Sequence, residues 1–242
     1  MMRGVYTGAA AMAAALQWQE RIFRNVANVN TTGYKAERVS FRQIEELLLS
    51  LGTSTDQARE GTLPLAAGLP EGPIDLSQGP LWETDRELDV AIDGPAFFVV
   101  QGEQGELLTR DGAFGLDAQR RLVTKSGLLV LGDGGPIQLP PGQIAISAEG
   151  AIYVNGQRVS SIRLAIPEGN LQRAGENMFS ATTRQAQAGE ARVLQGYLER
   201  ANVNLQDEMA KAMAALRTYE AAQRLLLAQN QTLDALGRAV QA

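Results

Sequence analysis

VNLQDEMAKAMAALRTYEAAQRLLLAQNQTLDALGRAVQ, residues 203–241, decides the fold of this chain. Its apolar positions recur every seven residues, the period at which a helix winds left-handedly around partner helices. Asn204 is a suitable N-cap, and Asp207 and Glu208 fall in the first turn, where negative charge is favourable. The pattern predicts a helix within 203–242, which from Asn204 to Gln241 would span about 57 Å at 1.5 Å per residue. Its two seam rows hold Leu205, Ala212, Tyr219, Leu226, Leu233 and Val240 in one and Met209 and Leu216 in the other.

The opposite end of the chain carries a second helix pattern of about 25 residues, within 1–35. Its apolar positions alternate by four and three, which is again a seam of the heptad type. Such a helix buries its seam only against a partner helix or against other copies of the chain. The two termini therefore predict a packed coiled-coil pair that serves assembly. The N-terminal seam consists of Val5, Ala9, Met12, Leu16, Phe23 and Val26.

The residues between the two helix patterns divide into two parts. The segment 36–80 is rich in Gly, Pro, Ser and Thr towards its end and is predicted as an extended connection. The segment 81–202 changes to a period of two, with turn signals such as Asp93-Gly94 and Asn155-Gly156. It predicts a mostly antiparallel β domain, so the fold class is α+β. The predicted strands are 88–93, 96–101, 107–110, 122–125, 128–131, 144–147, 152–154, 162–166 and 193–199.

Composition argues against most enzyme classes. The chain has no cysteine and no histidine, so the thiolate nucleophile and the commonest general base and metal ligand are missing. The glycines at 132, 134 and 135 precede a strand and not a helix, which favours a turn over a phosphate loop. No convergent acidic pair is recognisable. We therefore predict no catalytic residue, no cofactor and no metal ion.

Charge and hydropathy also restrict the partners. The net charge is −5, and acidic and basic residues are mixed along the chain. Without a basic stripe, nucleic acid is a poor partner. No run of about 18 apolar residues occurs, so direct membrane insertion is not expected.

Polar residues cluster where the N-terminal helix pattern ends. Asn25, Asn28 and Thr31 are of the types that satisfy backbone groups at helix ends, and they can also contact a neighbouring subunit. Gly33 allows the positive φ that ends the helix. On the C-terminal helix, Arg217 and Glu220 lie three residues apart on one face, flanking the seam residue Tyr219. This trio is either an intersubunit contact or a solvated local pair.

Three stretches resemble bacterial flagellar rod and hook proteins. Residues 25–35, NVANVNTTGYK, are similar to the N-terminal signature of that family, except that Arg24 stands where an Asn is usual. Residues 88–100, LDVAIDGPAFFVV, followed by 109–114, TRDGAF, resemble its central β signature. Residues 195–204, QGYLERANVN, resemble the start of its terminal helix, in which Arg217, Tyr219 and Glu220 match an Arg-x-Tyr-Glu element. Tyr34, the aromatic residue of the first signature, joins the expected assembly residues.

The resemblance implies a structural subunit of the flagellar basal-body rod. Its terminal helices would form an inner coiled-coil tube with the β domain outside, and subunits would stack helically into the axial drive shaft that transmits torque. The implied partners are copies of itself, other rod and hook proteins and the flagellar export apparatus. The implied location is the basal body outside the cytoplasmic membrane, reached by type III export without a cleaved signal peptide. The distal rod protein is the most similar type and the proximal one a close second.

One alternative from another functional class stays open at this point. A β domain of this size also suits a protein that binds or remodels cell-wall carbohydrate. Remodelling by hydrolysis needs paired carboxylates across a cleft, which the sequence does not clearly offer.

Overall fold

The computed structural model describes residues 2–38, 72–103, 105–175, 177–187 and 189–240. The chain forms two compact units. The helical unit comprises Met1–Ala27, Glu37–Pro73 and Asn204–Ala242, and the β unit comprises Asn28–Ala36 and Ile74–Val203. Helices at both ends and a mostly antiparallel β domain between them confirm the predicted α+β class. Most of the predicted connecting segment, residues 39–71, lies outside the described residues.

The helical unit is built on two antiparallel helices, α1 (Met2–Ala27) and α2 (Leu205–Val240). Gly8 near the start of α1 adjoins Leu226, whereas Asn25 near its end bonds Glu208 in the first turns of α2. The Asn204 side chain caps α2, as predicted, by accepting the Gln206 N–H at 3.0 Å. The buried cluster between the helices contains Ala14, Trp18, Ile22 and Ala215, with Val26, Ala212 and Ala214 packed against it.

All strand pairings described in the β unit are antiparallel. The strands are β1 (Leu81–Glu83), β2 (Val90–Asp93), β3 (Phe97–Gly102), β4 (Gly105–Thr109), β5 (Gly115–Leu116), β6 (Leu122–Val123), β7 (Leu129–Gly132), β8 (Gly135–Pro136), β9 (Ile144–Ile146), β10 (Ala151–Val154), β11 (Gln157–Ser161), β12 (Leu164–Gly175), β13 (Met178–Gln185), β14 (Arg192–Gln195) and β15 (Tyr197–Glu199). The largest sheet follows the order β12-β13-β4-β3-β7-β6-β5, with β8 on β7. The smaller ones are β11-β10-β9, β1-β15 and β14-β2.

Strand β3 lies at the centre of the β unit because both of its faces are buried. Phe98 and Val100 belong to the main apolar core, whereas Phe97 and Val99 belong to a second, smaller core. Successive side chains of a strand point to opposite faces, so the unbroken apolar run of β3 serves two cores at once.

The long hairpin of β12 and β13 is absent from the sequence prediction, which placed one short strand at 162–166. Polar residues occupy most of β13, Pro167 and Gly169 interrupt the apolar pattern of β12, and many side chains of both strands are exposed, so a period of two is not recognisable. The hairpin is nevertheless anchored near its tip, where Met178 and Phe179 of β13 pair with Thr109 and Leu108 of β4.

Candidate assembly site

Part of the apolar seam predicted for α1, at Leu16 and Phe23, lies on the side of the helix that faces away from α2. Trp18 and Ile22 are buried against α2, whereas Leu16 is 51% and Phe23 54% exposed. Two residues turn a helix by about 200°, so Leu16 points almost opposite to Trp18. The predicted α1 seam is therefore divided between two surfaces, because Val26 packs against the cluster between the helices whereas Leu16 and Phe23 do not. Of its other members, Ala9 and Met12 are half-buried, and the side chain of Val5 lies outside the described part.

Helix α2 also keeps an apolar row in solvent. We call Leu205, Met209, Met213, Leu216 and Leu227 the outer stripe; their exposed fractions run from 40% to 57%. The other predicted seam row, at Ala212, Tyr219 and Leu226, is half-buried. The two predicted rows of α2 therefore differ in their surroundings: the row at Ala212, Tyr219 and Leu226 is half-buried, and the row at Met209 and Leu216 is exposed in the single chain. The side chains of Leu233 and Val240 lie outside the described residues.

The predicted trio on α2 shows only weak local pairing. Arg217 and Glu220 are exposed, and Tyr219 is half-buried. The Glu220 carboxylate lies 4.0 Å from Arg224, one turn further on. Exposed pairs of this kind contribute little to stability.

Asn25 is buried at the end of the helix pair and uses all of its polar atoms. Its Nδ2 donates to the Glu37 carbonyl at 3.0 Å and to Glu208 Oε2 at 3.2 Å, while its Oδ1 accepts the Glu37 N–H at 3.0 Å. Arg24 pairs with the Glu37 carboxylate at 3.1 Å, and Lys211 pairs with Glu208 at 2.6 Å. The expected role of Asn25 in satisfying backbone groups is thus visible within the chain itself.

The predicted residues that follow α1 belong to the β unit. Thr31 Oγ1 donates to Asn28 Oδ1 at 3.1 Å, which holds the turn after the helix. Gly33 has φ of +66°, and its N–H donates to the Glu199 carbonyl at 2.7 Å. Tyr34 is buried, with the Arg173 guanidinium 4.8 Å from its ring centroid. These contacts fix the chain where it joins the β sheet.

Three charged side chains form a buried ion cluster in the β unit: Lys35, Arg110 and Glu199. Lys35 Nζ lies 2.7 Å from Glu199 Oε1, and Arg110 Nη1 lies 3.0 Å from Glu199 Oε2. All three side chains are at most 1% exposed. Burial lowers the pKa of Lys35 and of Arg110, and the attraction of Glu199 opposes both shifts. One carboxylate thus compensates two buried cations.

Sequence reasoning missed this ion cluster, although each of its members stood in a recognisable stretch. Lys35 ends the first family-like signature, Arg110 lies in the second and Glu199 in the third. The sequence did offer one indication of the cluster: in each of the three stretches, a charged residue stands among residue types that are usually buried. Oppositely charged residues in such positions are expected to meet, because an unpaired charge is costly to bury.

Neither a membrane-spanning helix nor a metal-binding group is visible in the described ranges. No helix there is both long and apolar enough to cross a membrane. No group of three or more His, Cys, Asp or Glu side chains there is arranged to hold a metal ion.

Comparison with known proteins identifies the family. The family described as "Flagellar hook protein FlgE/F/G D1 domain" matches residues 91–154, and "Flagellar basal body rod FlgEFG protein C-terminal" matches residues 194–238. The flagellar basal-body rod protein FlgF of Caulobacter vibrioides is 30% identical over 93% of this chain and 93% of its own length. FlgG of Bacillus subtilis is 30% identical over 98% of both chains, and FlgG of Borreliella burgdorferi is 32% identical over 91% of this chain and 92% of its own.

These likenesses agree with the geometry of a chain that has two exposed apolar helix faces. They support a structural subunit and not an enzyme, as predicted, and they give no support to the carbohydrate-binding alternative. Membership also implies a place in the flagellar basal body, in assembly with rod and hook components. The chain belongs to the flagellar basal-body rod protein family, whose members are structural subunits of the rod.

Proposed function

We propose that this chain joins copies of itself and other rod and hook subunits through the α1 seam and the outer stripe of α2. The observation that carries the proposal is the position of Leu16 and Phe23, which are more than half exposed on the α1 face opposite the helix pair. Each α1 helix then packs on its own α2 through Trp18 and Ile22 and on a neighbouring subunit through Leu16 and Phe23. Repetition of both contacts produces a coiled-coil tube.

The energetic reason is the apolar surface that these faces leave in water. Large exposed patches of this kind are uncommon on proteins that act alone. Completing the burial of one half-exposed Leu or Met side chain contributes about 1 kcal/mol. The five residues of the outer stripe would thus contribute about 5 kcal/mol per subunit before ordering costs. Many such contacts acting in parallel would transmit torque along a rod.

The proposal extends to delivery and position, on the family likeness alone. We propose that the flagellar export apparatus delivers the chain, without cleavage of a signal peptide. The similarity of residues 195–199 and 175–179 to the distal rod protein favours the distal rod. Cryo-microscopy of isolated basal bodies, with this chain tagged in an exposed loop, would locate it.

The assembly test uses matched charge substitutions on two faces of α2. In M209E/L216E the outer stripe receives two carboxylates, so we expect loss of incorporation into basal bodies and loss of self-association of the purified chain in sedimentation. The control A210E/A221E adds the same charges at exposed positions outside the stripe, and should assemble normally. Both variants should keep the helix content of the parent, measured by circular dichroism. Normal incorporation of M209E/L216E would refute the role of the outer stripe.

A parallel pair tests α1. L16E/F23E should abolish incorporation while leaving the Trp18 contact with α2 intact, as read from tryptophan emission. E20Q changes an exposed charge between these positions and should assemble normally. Assembly of L16E/F23E at the parental level would show that the α1 seam has another purpose.

A further inference from the structure

The apolar contact between α1 and α2 does not by itself define which residues face each other. Small side chains make up much of it: Ala14, Ala212, Ala214 and Ala215. Ala215 and Ala222 are both buried and lie seven residues apart on α2. A slip of one heptad along α2 would therefore replace one buried alanine by another. A contact made of similar small side chains leaves the register of a helix pair weakly specified.

Asn25 supplies the specificity that the alanines lack. It is 2% exposed and bonds both backbone groups of Glu37 as well as the Glu208 carboxylate. After a slip of one heptad, Asn25 would face Ala215, whose methyl group accepts no hydrogen bond. In the native register the space beside Asn25, Glu37 and Glu208 is about 10 Å³, which leaves room for about one water molecule.

We propose that Asn25 is a positioning residue that sets the register of α1 on α2 through Glu208. Two contacts between the helices, Gly8 with Leu226 and Asn25 with Glu208, agree with one register. Gly8 and Asn25 are 17 residues apart on α1, and Leu226 and Glu208 are 18 residues apart on α2. The register places the α1 seam relative to the outer stripe of α2. Only this consequence for assembly rests on the proposed function, because the register itself belongs to the single chain.

The experiment uses the absence of cysteine from the chain. G8C/L226C places two thiols where the helices adjoin in the native register, because a Cβ at Gly8 would contact the Leu226 side chain. G8C/Y219C and G8C/L233C report slips of one heptad in either direction. Disulfide yield is measured on the purified, unassembled full-length chain at low concentration. The parent should yield the native disulfide almost alone.

The substitution N25D keeps the shape but replaces the donor to Glu208 by a negatively charged acceptor. We expect the ratio of native to slipped disulfide to fall at least tenfold, because N25D loses the buried hydrogen bond to Glu208 and also places a second carboxylate beside it. N25D/E208Q reverses donor and acceptor and should restore the native disulfide. Q223A, an exposed polar substitution on α2, should leave the ratio unchanged.

Two results would overturn the proposal. An unchanged ratio in N25D would show that packing alone sets the register. Loss of both disulfides in N25D, without recovery in N25D/E208Q, would show that Asn25 stabilises the helix pair without selecting its register. Neither result depends on rod assembly, so failure here leaves the proposed function standing, and the reverse also holds.

Discussion

The substitution E199Q should destabilise the β unit strongly, because it removes the one carboxylate of the buried ion cluster. Glu199 is the shared partner of Lys35 and Arg110, at 2.7 and 3.0 Å, and no side chain of the three is more than 1% exposed. Breaking a buried pair by removing one partner costs about 3–5 kcal/mol, since the remaining charge stays desolvated. With a urea m-value of about 2 kcal/mol/M, the unfolding midpoint should fall by about 2 M.

The assay follows the single tryptophan that lies beside the cluster. The chain has two tryptophans, and the substitution W18F leaves Trp82 of β1, which pairs with Leu198, as the reporter of the β unit. Urea unfolding of E199Q in the W18F background is compared with W18F alone. E106Q serves as the control, because Glu106 pairs with Arg163 at the surface and exposed pairs contribute little.

The pH dependence gives a second readout with a definite sign. Burial lowers the pKa of Lys35, and removal of Glu199 takes away the largest influence that raises it. Between that lowered pKa and the ordinary value of 10.5, the unfolded chain binds more protons, so stability rises with pH. The deficit of E199Q should therefore shrink as pH rises towards 10. A midpoint shift below about 0.5 M, with no change of the deficit with pH, would refute the reasoning.

Two further predictions concern single residues of the β unit. G33A should lower the free energy of unfolding by more than about 2 kcal/mol, because Gly33 has φ of +66° and a Cβ there would lie 2.3 Å from the Arg110 carbonyl carbon. The control is G127A, because Gly127 also has a positive φ but a Cβ there would have no atom within 4 Å. Thermal unfolding of G127A should show a smaller loss of about 1–2 kcal/mol. R184Q should raise the pKa of Glu190 from about 2 towards 4.5, as followed by NMR titration, because the Arg184 guanidinium lowers it. The stabilisation by Glu190 is present above pH 4.5 and is lost as pH falls towards 2. This acid dependence should weaken in R184Q, in which the Gln187 N–H still lowers the Glu190 pKa; an unchanged Glu190 pKa would contradict the assignment.

Local signals in the sequence were sufficient for the terminal helices and for much of the β unit. Asn204 marks the start of α2, and Asn155-Gly156 marks the hairpin turn between β10 and β11, whereas Asp93-Gly94 is a bend between strands that do not pair. These features depend on a few neighbouring residues, so a pattern can report them. The hairpin of β12 and β13 was missed because both strands are partly exposed and show no apolar alternation, and because its anchors at Met178 and Phe179 depend on the distant strand β4.

The heptad pattern alone could not predict which face of α1 packs against α2. A heptad pattern identifies an apolar face, but Trp18 and Ile22 form a second one on the other side of the same helix. Which face meets α2 is decided by the complementary surface around Ala215, which lies almost two hundred residues away in sequence. The ion cluster has the same character, because Lys35 and Glu199 are separated by 164 residues.

That separation has a consequence for vectorial synthesis on the ribosome. Lys35 emerges early, but its carboxylate partner is translated 164 residues later, which takes about 8 to 33 s at 5–20 residues per second. During this interval Lys35 lacks its counter-ion, and Arg110 lacks the same partner for the last 89 residues, so the closure of the β unit waits until Glu199 has been made. The part of the β unit that is translated last is thus needed to neutralise the part that is translated first.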